Sequence, residues 1–399
     1  MQSIKELYKI GRGPSSSHTL APERACILFS KEFGKQFSYE VELYGSLSLT
    51  GKGHCTDQII KETLPGPCAV SFKRDWDESF PNGFYLKSFD ENHNLTHSWT
   101  VFSIGGGSIS IKEKPVTYND EVYPETSYND VVIYMTENHC TIPEYIYHYE
   151  PNIDAYMKTV LTAMLDCVER GLHAEGILPG RLQLQRSAKK LMQQAEEADS
   201  ENSQKLRLMA YAYAASEENA AGHSAVTAPT LGACGVMASL MYYASKDLHI
   251  EEECLIHALL CGGLFGNLIK TNATISGAVG GCQAEVGTAV SMASAAFAYL
   301  NQASSDQIEY AAEIGMEHLL GLTCDPIGGY VMIPCIERNA MGILRAIDAA
   351  VLSMHMSRIK HHMISFDTVV KTMQKTGQMI PIQLKETSEG GLAKEYEHE

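Results

Sequence analysis

The sequence predicts an α+β protein: a strand-bearing N-terminal part, residues 1–150, followed by an all-helical part, residues 151–399. Three observations carry this. Before about residue 150, short runs alternate apolar with polar residues and are rich in β-branched and aromatic side chains. From Ile153 the apolar spacing becomes helical. From Ser187 onward, stretches rich in Ala, Met, Leu and Gly are broken only by glycine-rich segments.

Taken in order, Ser38–Tyr44, Phe84–Phe89, Leu95–Ile104 and Val131–Met135 read as strands, with turn clusters such as Phe80-Pro-Asn-Gly83 between them. Ile153–Arg170 reads as a helix and Gly171–Gly180 as a joint between the two parts. Glycine within a helix costs about 1 kcal/mol relative to Ala. The runs Gly222–Gly235, Ser276–Gly287 and Gly321–Gly329 therefore read as loops that approach a ligand. No internal repeat or low-complexity tract appears.

The formal charge of −17 repels phosphate backbones and anionic lipid, which argues against nucleic-acid and membrane-surface roles. The first ten residues lack an apolar signal core. Eleven cysteines, odd in number and without regular spacing, argue for reduced thiols and a cytoplasmic location. The longest uncharged stretch, Asn219–Ser245, is crowded with Gly, Pro and polar residues and reads as packed interior, not a membrane span.

Three cysteines, Cys282, Cys324 and Cys335, sit in or beside the interrupted segments, at offsets of 42 and 11 residues. Paired Cys-x-x-Cys knuckles of a structural zinc site are missing. The spacing alone leaves open whether these are buried apolar cysteines or three ligands of an iron–sulfur cube. Two histidines follow candidate ligand loops. His54 comes after Thr50-Gly-Lys-Gly53, and His18 after Pro14-Ser-Ser-Ser17.

The run Glu317-His-Leu-Leu-Gly-Leu-Thr-Cys-Asp-Pro-Ile-Gly-Gly329, with Pro334-Cys-Ile-Glu-Arg-Asn-Ala340 after it, closely resembles the bacterial iron–sulfur L-serine dehydratases. So do Gly13-Pro-Ser-Ser-Ser-His-Thr19, Gly45–His54, Gly105-Gly-Gly107, Glu218-Asn-Ala-Ala-Gly222 and Lys385-Glu-Thr-Ser-Glu-Gly-Gly-Leu392, in order and over almost the whole chain. The resemblance implies an N-terminal α/β domain similar to the allosteric substrate-binding domains of some phosphoglycerate dehydrogenases. It also implies a helical domain whose Cys282, Cys324 and Cys335 bind a four-iron, four-sulfur cluster, and no pyridoxal phosphate. The implied reaction is deamination of L-serine to pyruvate and ammonia.

That reaction needs a base for the α-proton and a Lewis acid for the β-hydroxyl. We assign His54 as proton abstractor and His18 as its orienting partner. Ser15, Ser16, Ser17, Thr19, Gly105, Gly106, Asn219, Asn272 and Ser276 are the candidate substrate-binding residues. The histidines precede the joint and the cysteines follow it, so the site is expected between the domains. No cysteine follows Cys335, so the fourth iron is expected to lack a protein thiolate, although His398 lies in the tail. L-serine and a second copy of the chain, as a homodimer, are the expected partners.

The chain departs from the family pattern at His223-Ser224 (Gly-Arg in the family), at Leu231 (Asn), and at Val279 and Gly280 (Glu-Val). One Arg and one Glu are lost together, as partners of a buried pair would be. Three rival readings remain: a pyridoxal-phosphate dehydratase built on Lys73, an iron–sulfur cysteine desulfidase, and a non-enzymatic amino-acid sensor.

Overall fold

The computed structural model describes residues 1–78, 80–114 and 121–396. A five-stranded sheet forms from β2 (Ser38–Gly45), β3 (Cys68–Phe72), β4 (Asn82–Phe89), β5 (Leu95–Gly105) and β6 (Ser108–Ile111), in the order β3-β2-β4-β5-β6. Only the β2–β3 pair is parallel. A parallel pair requires a crossover, and here it holds the short helix α2 (Ser46–Leu49) and α3 (Thr56–Thr63), with His54 between them. Helix α1 (Ala21–Phe33) packs beside α3 and the sheet, and this unit has its own core, from Ala21 to Ile111.

The helical part comprises α4 (Tyr128–Asn138), α5 (Ile142–Tyr149), α6 (Asp154–His173), α7 (Ala188–Glu197) and α8 (Ser200–Ala220). It continues with α9 (Cys234–Lys246), α10 (Glu252–Asn272), α11 (Gly277–Gly280), α12 (Thr288–Leu300), α13 (Ser305–Glu317), α14 (Cys335–Met356), α15 (Phe366–Met379) and α16 (Gly391–Tyr396). The long helices α8, α10, α12 and α14 pack around a common core. Helix α10 is long and apolar enough to cross a membrane, but 78% of its most apolar window is buried inside the protein.

Strand-like Val131–Met135 is in fact part of helix α4, and this corrects the sequence reading. Ser127 caps it by accepting from Asp130 N, and burial of Tyr128, Val131 and Met135 on one face outweighs the β-branched run. The joint expected at Gly171 starts later, because α6 runs to His173.

Packing also draws the line between the two parts away from residue 150. Met1, Ile4, Leu7 and Tyr8, together with Tyr123 to Ile146, belong to the core of the helical part. Alpha-helix α10 accommodates the N-terminal segment because it is bare at Gly263 and Gly266. A Cβ at Gly263 would lie 2.9 Å from both Ile4 and Tyr8, and one at Gly266 would lie 2.7 Å from Leu7. The Tyr8 hydroxyl donates to Leu259 O at 2.9 Å. Strand β1 (Ile10–Arg12) then pairs antiparallel with β7 (Ser224–Val226), a short strand in the part read as wholly helical.

The helical part therefore depends on residues from before the sheet. A fragment spanning 151–399 is expected to lack a native near-UV circular dichroism spectrum. In the full chain, Tyr8→Ala should cost about 3–5 kcal/mol in denaturant titration, comparable to truncating a buried aromatic in any core.

Candidate active site

His18 and His54 meet at the seam between the sheet unit and the helical unit. His18 lies in a π-helical turn, Ser16–Leu20, whose first N–H groups are capped by Ser15. Such turns are uncommon and recur at functional sites. Its Nε2 faces Ser46 O at 3.1 Å and Thr50 Oγ1 at 2.9 Å. A carbonyl only accepts, so Nε2 carries the proton and Nδ1 is the basic nitrogen. That nitrogen faces Ser15 Oγ at 3.2 Å and Glu386 Oε1 at 3.6 Å.

His54 is stacked on His18 with ring centroids 4.1 Å apart. Its Nδ1 donates to Thr50 O at 2.9 Å, which leaves the Nε2 lone pair as the available base. The approach that places His54 needs bare backbone on both sides. A Cβ at Gly53 would sit 2.6 Å from Gly329 O, and one at Gly329 would sit 3.1 Å from Thr50 Cβ. Burial lowers the His54 pKa to about 4. Burial, and then the neighbouring His54, holds His18 well below the usual range as well.

The opposite wall carries the three cysteines, which line one enclosed pocket with Ser15, His54, Glu285 and Glu386. Cys282 opens a second π-helical turn, Gln283–Gly287. Cys324 sits in an extended loop, its N–H donating to Leu384 O at 2.8 Å and its carbonyl accepting from Glu386 N at 2.7 Å. Cys335 is the first residue of α14. Burial pushes all three thiols up, Cys282 to about 11, with Arg338 pulling Cys282 and Cys335 the other way. Arg338 is raised in turn by Cys282 and Cys335, and it donates to Thr323 O at 2.6 Å and pairs with Asp325 at 3.3 Å.

Two carboxyls complete the pocket. The Cys324 thiol donates to Glu285 Oε2 at 3.8 Å. Burial holds both Glu285 and Glu386 above the ordinary carboxylate range, and Glu285 raises Glu386 further. A Cβ at Gly277 would lie 2.5 Å from Glu285 Oε2 and 3.4 Å from Cys324 Sγ, so a side chain there would fill the space beside the thiols. Three soft sulfurs around that cradle, with one guanidinium to offset thiolate charge, are a donor set suited to an iron–sulfur cluster. Ligand atoms of His18, His54 and Glu386 also lie within 4.8 Å of one another, close enough for protons to be shared or a metal ion held.

Apart from Ser15, none of the candidate substrate-binding residues lines the pocket, and several instead hold the segments around it. Ser16 Oγ accepts from Leu231 N at 2.7 Å, and Ser17 O accepts from Ser103 Oγ at 3.1 Å. Asn219 Nδ2 donates to Pro14 O at 2.7 Å and so pins the serine turn. A Cβ at Gly105 would lie 3.2 Å from Ser276 Cβ, and one at Gly106 would lie 2.8 Å from Ile275 Cδ1. Ser276 precedes α11 with its hydroxyl buried and unpartnered.

Thr19 points away, donating to Arg12 O at 3.0 Å, and Asn272 donates to Thr126 O at 2.7 Å. Both side chains are spent on these backbone carbonyls, away from the pocket. His398 lies outside the described residues. Lys73 is exposed at the end of β3 and does not line the pocket either. Sequence reasoning passed over Glu285, Arg338 and Glu386. All three stand within or beside quoted motifs; for Glu285 and Arg338 the signal was a charged residue three positions after a cysteine in a glycine- or proline-bearing segment, and Glu386 carried none.

Fold and site together define a two-part α+β protein with thiols and imidazoles facing each other across the seam. Serine dehydratase alpha chain is the description of the family matched by residues 59–393, and serine dehydratase beta chain that matched by residues 3–69. The chain belongs to the serine dehydratase family, with both regions in one polypeptide. It is 35% identical over 452 residues to the L-serine dehydratase of Haemophilus influenzae, covering 98% of this chain and 99% of that one. It is 37% identical over 451 residues to L-serine dehydratase 1 of Escherichia coli, with coverages of 98% and 99%. For the L-serine dehydratase of Streptomyces coelicolor the identity is 36% over 448 residues, with 98% of each chain covered.

The lowered His54 pKa has a consequence for stability. Between the unfolded value near 6.5 and the folded value of about 4, the unfolded chain binds more protons. Stability is therefore fully present above about pH 6.5 and falls as the pH drops toward 4. Denaturant titrations at pH 7.5 and 5 should show this loss, and His54→Gln should reduce it.

Proposed function

We propose that the protein is a lyase that deaminates L-serine to pyruvate and ammonia, using a four-iron, four-sulfur cluster on Cys282, Cys324 and Cys335. The observation that carries this reading is the shared pocket. Three thiols from the helical unit and the free Nε2 side of His54 from the sheet unit line the same enclosed space. Relatives over nearly the full length bear the name L-serine dehydratase.

In this reading His54 Nε2 removes the α-proton while its Nδ1–H stays on Thr50 O, which stabilises the imidazolium as it forms. Stacked His18 keeps the ring from turning, held from below by Ser46 and Thr50. Ser15, at the pocket wall, offers its hydroxyl to the substrate carboxylate. When bound, the cluster supplies a Lewis acid for the charge on the departing β-hydroxyl. Loss of that group leaves 2-aminoacrylate, which tautomerises and hydrolyses to pyruvate and ammonia without further catalysis. Enclosure keeps bulk water from competing with these contacts.

A cytoplasmic location belongs to the same proposal, supported by eleven cysteines that are all free. A homodimer belongs to it too, and sedimentation at several protein concentrations tests that.

Ammonia release from L-serine, L-cysteine and L-threonine under strict anaerobiosis is the direct test, and L-serine should be turned over fastest. Cys324→Ser should remove iron-dependent absorbance and turnover together. His54→Ala should keep that absorbance and lose roughly 10² to 10⁴ in rate, along with α-proton exchange into solvent. Full iron content and turnover in Cys324→Ser would exclude the cluster assignment.

A further inference from the structure

We propose that Glu386 recognises the α-ammonium group of the substrate, and so makes the site selective for amino acids over the corresponding hydroxy acids. The proposal rests on the serine-lyase reading for the identity of the substrate. It rests on geometry for the residue.

A free amino acid brings one cation into the pocket, and a buried cation needs an acceptor. Two carboxyls line the pocket, Glu285 and Glu386. Glu285 stands against the thiols, 3.8 Å from Cys324 Sγ and beside Gly277. Glu386 stands on the histidine side, with one oxygen within 4.8 Å of ring nitrogens of both His18 and His54. An α-proton in reach of His54 Nε2 puts the α-carbon about 3–3.5 Å from that nitrogen. The amino nitrogen is one bond of about 1.5 Å further. Glu386 stands beside that position, whereas the Glu285 carboxyl is engaged by the Cys324 thiol.

The carboxyl is also held and left open. Its residue is clamped by two backbone contacts: Glu386 N donates to Cys324 O at 2.7 Å, and Ser46 Oγ donates to Glu386 O at 2.8 Å. The backbone takes φ +60°, a left-handed conformation that a residue with a Cβ adopts only when its surroundings impose it. Yet Glu386 is 5% exposed and its Oε2 has no hydrogen-bond partner among the described residues. Buried carboxyl oxygens are usually satisfied. One oxygen aimed into a pocket and left without a partner fits a group waiting for a donor from the ligand.

The test compares anaerobically prepared full-length wild type, Glu386→Gln and Glu386→Asp, matched for cluster absorbance and far-UV spectrum. Calorimetry measures binding of L-alanine, which is serine without its hydroxyl, and of L-lactate, in which a hydroxyl replaces the ammonium. Wild type should bind L-alanine at least about tenfold more tightly than L-lactate, the size of one charge-assisted hydrogen bond. Glu386→Gln should lose that preference, and its KM for L-serine should rise by about tenfold with a smaller change in kcat. Glu386→Asp should recover part of the preference. A preference that persists unchanged in Glu386→Gln overturns the assignment, as does wild type binding both ligands equally. If wild type prefers L-alanine through Glu386 yet releases no ammonia from L-serine, the serine-lyase reading fails and the role of Glu386 stands.

Discussion

The geometry of this protein depends on the passage of residues 384–386 between its two halves. Leu384 O and Glu386 N bracket Cys324 with backbone hydrogen bonds of 2.8 and 2.7 Å, and Glu386 O accepts from Ser46 Oγ at 2.8 Å. Buried backbone groups must be satisfied. Here a loop of the cysteine wall and a short helix of the sheet unit do so for the same three residues. Ser46 then turns its own carbonyl to His18 Nε2. One serine thus ties the imidazole pair to the strap that holds the cysteine loop.

Electrostatics follow from that closure. Burial lowers both imidazoles and raises the thiols and carboxyls, which disfavours charge on the pocket walls, and Arg338 acts on Cys282 and Cys335 from behind them. In a medium of low effective dielectric, a charge that arrives with a ligand meets groups whose protonation responds strongly to it. Neutral stacked rings can lie 4.1 Å apart, whereas two imidazolium ions could not share that space without a large cost. The two nitrogens of each ring are thereby distinguished: Nε2 of His18 and Nδ1 of His54 are held on backbone carbonyls, and the other nitrogen of each keeps its lone pair.

Much of the site was legible in the sequence. Glycine just before His54, in the run before Cys282 and after Cys324 marked places where chain segments come too close for a Cβ, and those segments do converge. The three cysteines share a pocket although 53 residues separate the first from the last. Glu386 was less legible. A glutamate in a polar stretch near the end of a chain carries the signature of a solvated residue, and only its burial against Cys324 and Ser46 gives it another meaning.

By itself, the sequence singled out the three cysteines and His54 that share the pocket and where the backbone must be bare, because cysteine, histidine and glycine have local properties no neighbour can supply. It also determined the strands β2, β4 and β5, where alternation is long enough to specify a half-buried sheet. Tertiary structure decided the rest. Val131–Met135 became a helix because its buried face is read only when α10 and α15 lie beneath it. Residues 1–8 joined the helical core because a groove at Gly263 and Gly266, more than 250 positions away, was there to receive them. Periodicity reports the environment of a segment along its own axis. Which distant surface covers that segment is settled by packing, and packing exists only once the chain has folded.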